Sequence, residues 1–426
     1  MERNVWALKQ VRRRVEEGNH GTAPPEGLRR IGLFLGVTPR MGGVFPYSRC
    51  LLDAVAALPR ERYAAVAAYT DPAWEEPVAA AGLDALRIRW PRWTFGLGTL
   101  FTLSSIPVPW WRPCMPLVDP AAAAVVRARC DLWVFTTYSF VCYQMPVSSV
   151  GIVHDLMHRY ERRFRVDNPP RVRYWRERVF RRMCRRTRAL LADSELGRRQ
   201  LVESYGADDS RIFALPFVAP PNMADAVPAG FDARYRLPGK FVFYPAQFWE
   251  HKNHARLIRA AAALRAELPD LHLVLAGGRR GAYAEVRALV NRLNLDQRVT
   301  FMGFVPDDDL VELYRRARAL VFPSFYGPTN IPPLEAFAVG CPVAASRVYA
   351  MPEQIGEAGL LFDPHSVEEI AGAIRRVWTD DALCRELARR GRERAAQWGP
   401  AEFARRFAGI VDDILRQDAG RRGTGA

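Results

Sequence analysis

The stretch from Ala319 to Ala345 constrains the fold of this chain more than any other: Ala-Leu-Val-Phe-Pro-Ser-Phe-Tyr-Gly-Pro-Thr-Asn-Ile-Pro-Pro-Leu-Glu-Ala-Phe-Ala-Val-Gly-Cys-Pro-Val-Ala-Ala. An apolar run stops at Pro323-Ser324, a Gly/Pro/Thr/Asn turn follows, a short helix opens at Pro332-Pro333 and closes at Gly340, and a second apolar run begins at Pro342. Strand, loop, helix, strand is the unit of a parallel sheet, and its loop lies at the carboxyl end of a strand, where open α/β sheets bind ligands. The backbone amides of Thr329, Asn330 and Ile331 at the helix N-terminus suit an anion or a sugar hydroxyl, with Glu335 in the first turn behind them. The stretch therefore reads as a nucleotide-sugar site.

With 426 residues the chain exceeds the size at which single cores divide, so two domains are expected. Hydrophobic residues at 49% and charged residues at 25% describe a globular protein and exclude a disordered one. Seven cysteines, odd in number and without a CxxC pair, frame neither a disulfide set nor a zinc site, and a reducing cytoplasm suits them. Residues 1–30 are charged and lack the apolar core of a signal peptide, so secretion is not expected. A net charge of +15 admits nucleic acid, anionic lipid or a phosphorylated substrate, and only its placement separates them.

From the N-terminus, the apolar run Ile31 to Gly36 leads through a turn containing Gly42-Gly43 into a helix-period segment, Val44 to Leu58. The two glycines form either a tight turn or a place where backbone approaches a ligand closely. Further strands are expected at Tyr63 to Tyr69, Asp131 to Thr136, Ser148 to Val153, Arg188 to Asp193 and Arg211 to Pro216, with helical patterns between the later ones, which predicts a parallel sheet covered on both faces. His154 follows the strand ending at Val153, and an imidazole there either hydrogen-bonds a substrate or caps local structure. The domains are expected at 30–218 and 240–397, joined by a Pro/Ala/Gly-rich linker over 219–239, with a C-terminal helix over 398–416 and a disordered tail from Gln417. Asp307-Asp308-Asp309 opens a helix and is read as a first-turn acidic cluster; no metal site is expected.

Two segments stand apart. Between Trp90 and Trp111 the chain is crowded with aromatics, and Thr94 to Trp111 carries no charge; Gly96, Gly98, Pro107 and Pro109 are expected to interrupt any continuous helix. Either the segment dips into a membrane interface or it packs on the N-terminal domain as a hydrophobic cluster. Arg171–Arg188 has apolar residues at helical spacing and arginines on the remaining faces, as expected of an amphipathic helix with a basic surface. A solvated face, anionic lipid or a polyprenyl-pyrophosphate acceptor, and nucleic acid remain its three readings, with no specific nucleic acid expected.

The run from Pro323 through Leu334-Glu335-Ala336 to Gly340-Cys341-Pro342 resembles the signature of retaining, GT-B-fold glycosyltransferases of the group 1 family. The resemblance implies an α/β protein of two Rossmann-like domains facing a deep cleft, with the last helix crossing back to the N-terminal domain. It implies that Glu335 binds the nucleotide ribose, that Lys252 faces the donor pyrophosphate, that the backbone at Phe304-Val305 receives the base, that His154 lies near the transferred sugar, and that Gly42-Gly43 faces the cleft. Two positions depart from the pattern: Gly327 stands where the family has its first glutamate, and Gln247 where it has an arginine. Asn330 is the candidate substitute for the first, and Arg279, Arg280 or a basic residue of the other domain for the second. The Pro-Ala-Gln-Phe-Trp and Gly-Pro-Thr-Asn-Ile-Pro-Pro-Leu-Glu variants are similar to mannosyltransferases of bacterial polysaccharide assembly, which implies GDP-mannose as donor, a glycan or lipid-linked acceptor at the cytoplasmic membrane face, and no metal or other cofactor. A nucleotide-sugar epimerase on the same fold and a basic membrane- or RNA-binding scaffold without chemistry are the alternatives.

Overall fold

The computed structural model describes residues 27–41, 43–136, 140–164, 169–219, 227–327 and 329–423. It divides into two compact units: the described residues up to 156 with 171–216 and those from 400 onward, and the described residues of 157–170 with 217–399.

The first unit is a seven-stranded parallel sheet of β1 (Arg29–Leu35), β2 (Tyr63–Tyr69), β3 (Asp84–Arg87), β4 (Leu132–Phe135), β5 (Ser149–Val153), β6 (Ala189–Ala192) and β7 (Ile212–Ala214), in the order β3-β2-β1-β4-β5-β6-β7. The apolar runs form its centre because strands covered on both faces must be apolar throughout: every residue of β4, β5 and β6 is buried. Strand β3 was not foreseen, since Asp-Ala-Leu-Arg is a short edge strand with charged ends. The helix Val44–Ala56 packs against the terminal helix Pro400–Gly423, with the Tyr47 ring edge-on to Phe403. That terminal helix extends beyond Gln417, where a disordered tail was expected.

The aromatic segment corrects the expectation that its glycines break helix. The helix Arg92–Leu103 runs through both Gly96 and Gly98, because Gly98 lies against the Phe140 ring and its carbonyl accepts from Thr102 (2.9 Å) and Gln144 (2.8 Å). The prolines behave as expected: Pro107 and Pro109 open a second short helix, Val108–Trp111. One face of the segment packs inward, with Trp111 stacked on Phe101 at 4.7 Å, while Trp93, Phe95, Leu100, Trp110 and Leu117 face outward, Trp110 being 77% exposed.

The arginine helix, Pro170–Arg186, is also less uniformly basic on its surface than its sequence implies. Arg178 and Arg182 donate to the carbonyls of Phe101, Thr102 and Ser104, satisfying acceptors that the end of the aromatic helix leaves without intrahelical donors. Arg176 is buried and pairs with Asp155. Arg171, Arg181, Arg185 and Arg186 remain exposed.

The second unit is a six-stranded parallel sheet of β8 (Val242–Pro245), β9 (Leu273–Ala276), β10 (Val299–Gly303), β11 (Ala319–Phe322), β12 (Val343–Ser346) and β13 (Gly359–Phe362), in the order β10-β9-β8-β11-β12-β13. Strand order reverses between β8 and β11, so the loops after these two neighbouring strands open a crevice at a topological switch point. The segment read as a linker over 219–239 is shorter than that: Phe231 is fully buried in this unit's core, with Tyr235 and Leu237 packed against it. Residues 220–226 of that reading lie outside the described residues.

Candidate functional site

The two loops at the β8/β11 switch are cross-tied by their own backbones. Asn253, in the left-handed conformation at φ 60°, is buried and donates from Nδ2 to the carbonyls of Pro323 and Pro364, both at 2.9 Å. The Phe325 amide donates to the His251 carbonyl at 2.8 Å, and the Tyr244 hydroxyl to the Lys252 carbonyl at 2.7 Å. These ties fix the backbone of Lys252 from both sides. Its ammonium lies 5.3 Å from the centre of the Phe322 ring and donates to Asn330 Oδ1 at 3.3 Å.

Asn330 precedes the helix Ile331–Val339, which starts one residue earlier than expected and so puts Glu335 in its second turn. The expectation that the Asn330 amide is open to a ligand is corrected, because it donates to Gln354 Oε1 at 2.9 Å while Gln354 Nε2 returns a hydrogen bond to the Asn330 carbonyl at 2.5 Å. The Asn330 side chain also donates to Met351 Sδ at 3.1 Å. A Cβ at Gly327 would sit 2.0 Å from Asn330 Nδ2, so a side chain at 327 and this Asn330 rotamer exclude each other. The Asn330 side chain thus occupies the space that a side chain at 327 would need. Thr329 and Ile331 flank this pair, and both are half-buried.

Glu335 accepts a 2.6 Å hydrogen bond from the Tyr314 hydroxyl. Its half-buried carboxyl is pushed up to about 7, chiefly by loss of water and further by Asp307, against the lowering effect of the Tyr314 bond. Tyr314 comes from the helix Asp307–Arg316, whose first turn carries the three aspartates as expected; Asp309 is taken by Arg234 at 2.6 Å and Tyr235 at 2.8 Å. Among the described residues no group of three His, Cys, Asp or Glu side chains is placed to hold a metal ion.

On the other side of β8, Gln247 Oε1 accepts from Trp249 Nε1 at 3.1 Å and from Arg280 Nε at 3.2 Å. After β10, Phe304 is 84% exposed whereas Val305 is buried.

In the first unit His154 follows β5, as expected, and is buried. Its Nδ1 is 3.1 Å from both carboxylate oxygens of Asp193, and its ring meets that of Tyr47 edge-on at 5.2 Å. Burial alone would lower the imidazole's affinity for a proton, but the Asp193 carboxylate outweighs it and holds the group above its ordinary value. Gly43 is exposed at the start of the helix Val44–Ala56, and Gly42 lies outside the described residues.

Tyr314, Gln354 and Asp193 carried no sequence signal as site residues. Each lies far along the chain from the group it touches, and only the packing of neighbouring βα units brings the pairs together.

The sequence pattern of the family described as "Glycosyl transferases group 1" matches residues 233–394, most of the second unit. A "Serotype-specific mannosyltransferase WbdA" of Escherichia coli is 27% identical over 300 residues, covering 67% of this chain and 36% of that protein. An "O-antigen chain mannosyltransferase B" of Escherichia coli is 30% identical over 235 residues, covering 54% and 61%. The chain thus spans less than two thirds of the length of these relatives. Among solved structures, sucrose-phosphate synthase from Thermosynechococcus elongatus superposes with a TM-score of 0.68 at 22% identity, over 91% of this chain and 100% of that one. Anabaena Alr3699/HepE in complex with UDP and glucose does so at 0.67 and 18%, over 90% and 99%. At such identities the likeness speaks for fold alone. Residues 233–394 carry the sequence pattern of the group 1 glycosyltransferases, the signature around Glu335 lies within that match, and the two Rossmann-like parallel sheets have the GT-B fold.

Proposed function

We propose that the protein transfers a sugar, with mannose from GDP-mannose the preferred case, from a nucleotide donor to a glycan or lipid-linked acceptor at the cytoplasmic face of a membrane, with retention at the anomeric carbon. One observation carries the reading: Lys252 is fixed at the β8/β11 switch within 3.3 Å of Asn330, the residue that opens the helix bearing Glu335. A cation on the loop after β8 and a carboxylate on the helix that follows the loop after β11 are what a diphosphonucleoside needs, the first for its phosphates and the second for its ribose hydroxyls. The mannosyltransferases among the relatives favour mannose as the sugar.

In this reading Lys252 stabilises charge on the leaving diphosphate as the bond from the anomeric carbon to the phosphate oxygen breaks. The acceptor oxygen bonds to the same face of that carbon, and its proton passes to the departing phosphate oxygen. Glu335 orients the ribose, while Gln247, Asn330 and the backbone at Thr329, Ile331, Phe304 and Val305 line the donor. His154 and Gly43, on the first unit, keep the roles that the family resemblance implies for them. Because the Lys252 ammonium meets the developing charge, the proposal requires no metal ion. Incubating the protein with a panel of nucleotide sugars and bacterial lipid extract, followed by mass spectrometry, tests it. Addition of one hexose to a lipid or glycan, with GDP released, is expected; hydrolysis or epimerisation of the donor with no acceptor product would contradict it.

The aromatic segment supports the membrane part of the proposal. Outward-facing Trp93 and Trp110 adjoin a helix with four exposed arginines, and Arg178 and Arg182 bind the two elements together. Interfacial tryptophans beside basic side chains match the two layers of an anionic bilayer surface. No helix among the described residues is long and apolar enough to cross a membrane. Trp93→Ser with Trp110→Ser is expected to weaken binding to phosphatidylglycerol-containing vesicles by about tenfold or more in a sedimentation assay. Unchanged binding would remove this surface from the account.

A further inference from the structure

We propose that Arg280 supplies the positive charge absent at position 247 and grips the donor diphosphate opposite Lys252. The inference rests on the nucleotide-sugar reading above and assigns a binding residue within that site.

Gln247 occupies the position where the family resemblance places an arginine, and its side chain is not idle. One atom, Oε1, accepts from both Trp249 Nε1 (3.1 Å) and Arg280 Nε (3.2 Å). Two N–H donors converging on one amide atom require that atom to be the oxygen, which turns the Gln247 amino group away from them as a further donor. Arg280 is anchored at this point by its Nε alone, so both terminal amino groups, with four N–H bonds, remain for oxygens beyond Gln247. That planar fork matches two phosphate oxygens better than a single ammonium does.

Backbone geometry explains why a residue 33 positions away arrives here. Strands β8 and β9 are neighbours, and the loops that follow them touch at Gly277, at φ 140°, where a Cβ would fall 2.2 Å from the Ala246 carbonyl oxygen. The Phe248 amide donates to the Gly278 carbonyl at 3.1 Å and the Ala282 amide to the Phe248 carbonyl at 3.0 Å. These bonds hold residues 278–282 along the loop that also carries Lys252. The Arg280 guanidinium lies over the Trp249 ring, its central carbon 5.4 Å from the ring centre. Arg279 instead lies over Tyr283 at 5.0 Å, so Arg280 is the member of the pair directed at Gln247. Among the described residues no carboxylate pairs with Arg280: its hydrogen-bond partner is the neutral amide of Gln247, and the side chain is exposed. An arginine at 280 in place of one at 247 would keep the charge balance of the clamp while changing the strand from which it comes.

Titration calorimetry of the full chain with GDP and with GMP separates the roles. Arg280→Gln is expected to weaken GDP binding by about ten- to a hundred-fold, the usual scale for a charge-assisted bond, and GMP by less than about threefold. Arg279→Gln should leave both within about twofold. The discriminating variant is Gln247→Arg combined with Arg280→Gln, which should recover GDP affinity to within about threefold of wild type by returning the guanidinium to the β8 loop. Far-UV circular dichroism should be unchanged in each variant, since Arg280 is exposed. GDP affinity unaffected by Arg280→Gln, or unrecovered in the double variant, would overturn the assignment while leaving the glycosyltransferase reading in place. Absence of any binding of GDP and UDP to the wild-type chain would remove that reading, and this assignment with it.

Discussion

Lys252→Ala is expected to lower kcat/KM for sugar transfer by about a thousand-fold, the scale seen when a preorganised group facing developing charge is removed. The fold should survive. The ties that position this loop run through the Lys252 carbonyl, the Asn253 side chain and the His251 carbonyl, none of which the substitution touches. Lys252→Met refines the test: it keeps an apolar stem beside the Phe322 ring and removes only the ammonium. Equal loss in the two variants, with melting temperatures within a few degrees of wild type, assigns the effect to charge. Activity within tenfold of wild type in Lys252→Met would contradict the role.

Glu335→Gln is expected to abolish transfer and at the same time to stabilise the unliganded protein at alkaline pH. The carboxyl's folded value of about 7 lies above its ordinary 4.5, so the native state holds this proton more tightly than the unfolded chain does. Its contribution to stability is therefore fully present below about pH 4.5 and is lost as pH rises through about 7, where the half-buried group must ionise. Replacing it by an amide that still accepts from Tyr314 should raise unfolding free energy at pH 8 by about 1–3 kcal/mol and change little at pH 4. Urea unfolding at the two pH values checks this. Binding should run the opposite way: an ionised carboxylate is the better acceptor for ribose hydroxyls, so nucleotide affinity of the wild type should rise by up to about tenfold per unit between pH 5 and 7 and level off above. In Glu335→Gln that dependence should vanish. A variant less stable than wild type at pH 8 would contradict the burial argument, and unaltered pH dependence of binding would contradict contact with the nucleotide.

The parts of this molecule written locally were legible in its sequence. Apolar runs closed by Gly, Pro and Asn turns located the inner strands of the first sheet and β11 and β12 of the second, and the left-handed residue that ends the helix Ile331–Val339 is Gly340, as its position predicted. The Ser194 hydroxyl accepts from the Gly197 amide at 3.0 Å and so caps the start of the helix Glu195–Tyr205, as serine before a helix does. What escaped depends on partners remote in the chain. Gly98 resembles a helix breaker until the Phe140 ring is seen against it, and the arginines of Pro170–Arg186 resemble one solvated face until Arg178 and Arg182 are found on the carbonyls of another helix. Position 247 reads as a lost charge in sequence, whereas the adjoining β9 loop sets a guanidinium against it. Position 327 reads as a lost carboxylate, whereas the Asn330 amide fills the space a side chain there would need. Departures from a family pattern are visible in one dimension, and their compensation only in three.

Whether Lys252 and Glu335 hold one diphosphonucleoside between them is read from a crystal structure of the protein with GDP. The account predicts a single nucleotide at the β8/β11 switch, with Lys252 Nζ about 3 Å from a phosphate oxygen and the Glu335 carboxylate within hydrogen-bonding distance of both ribose hydroxyls. A nucleotide bound elsewhere, or one at the switch that leaves either side chain out of contact, would contradict it.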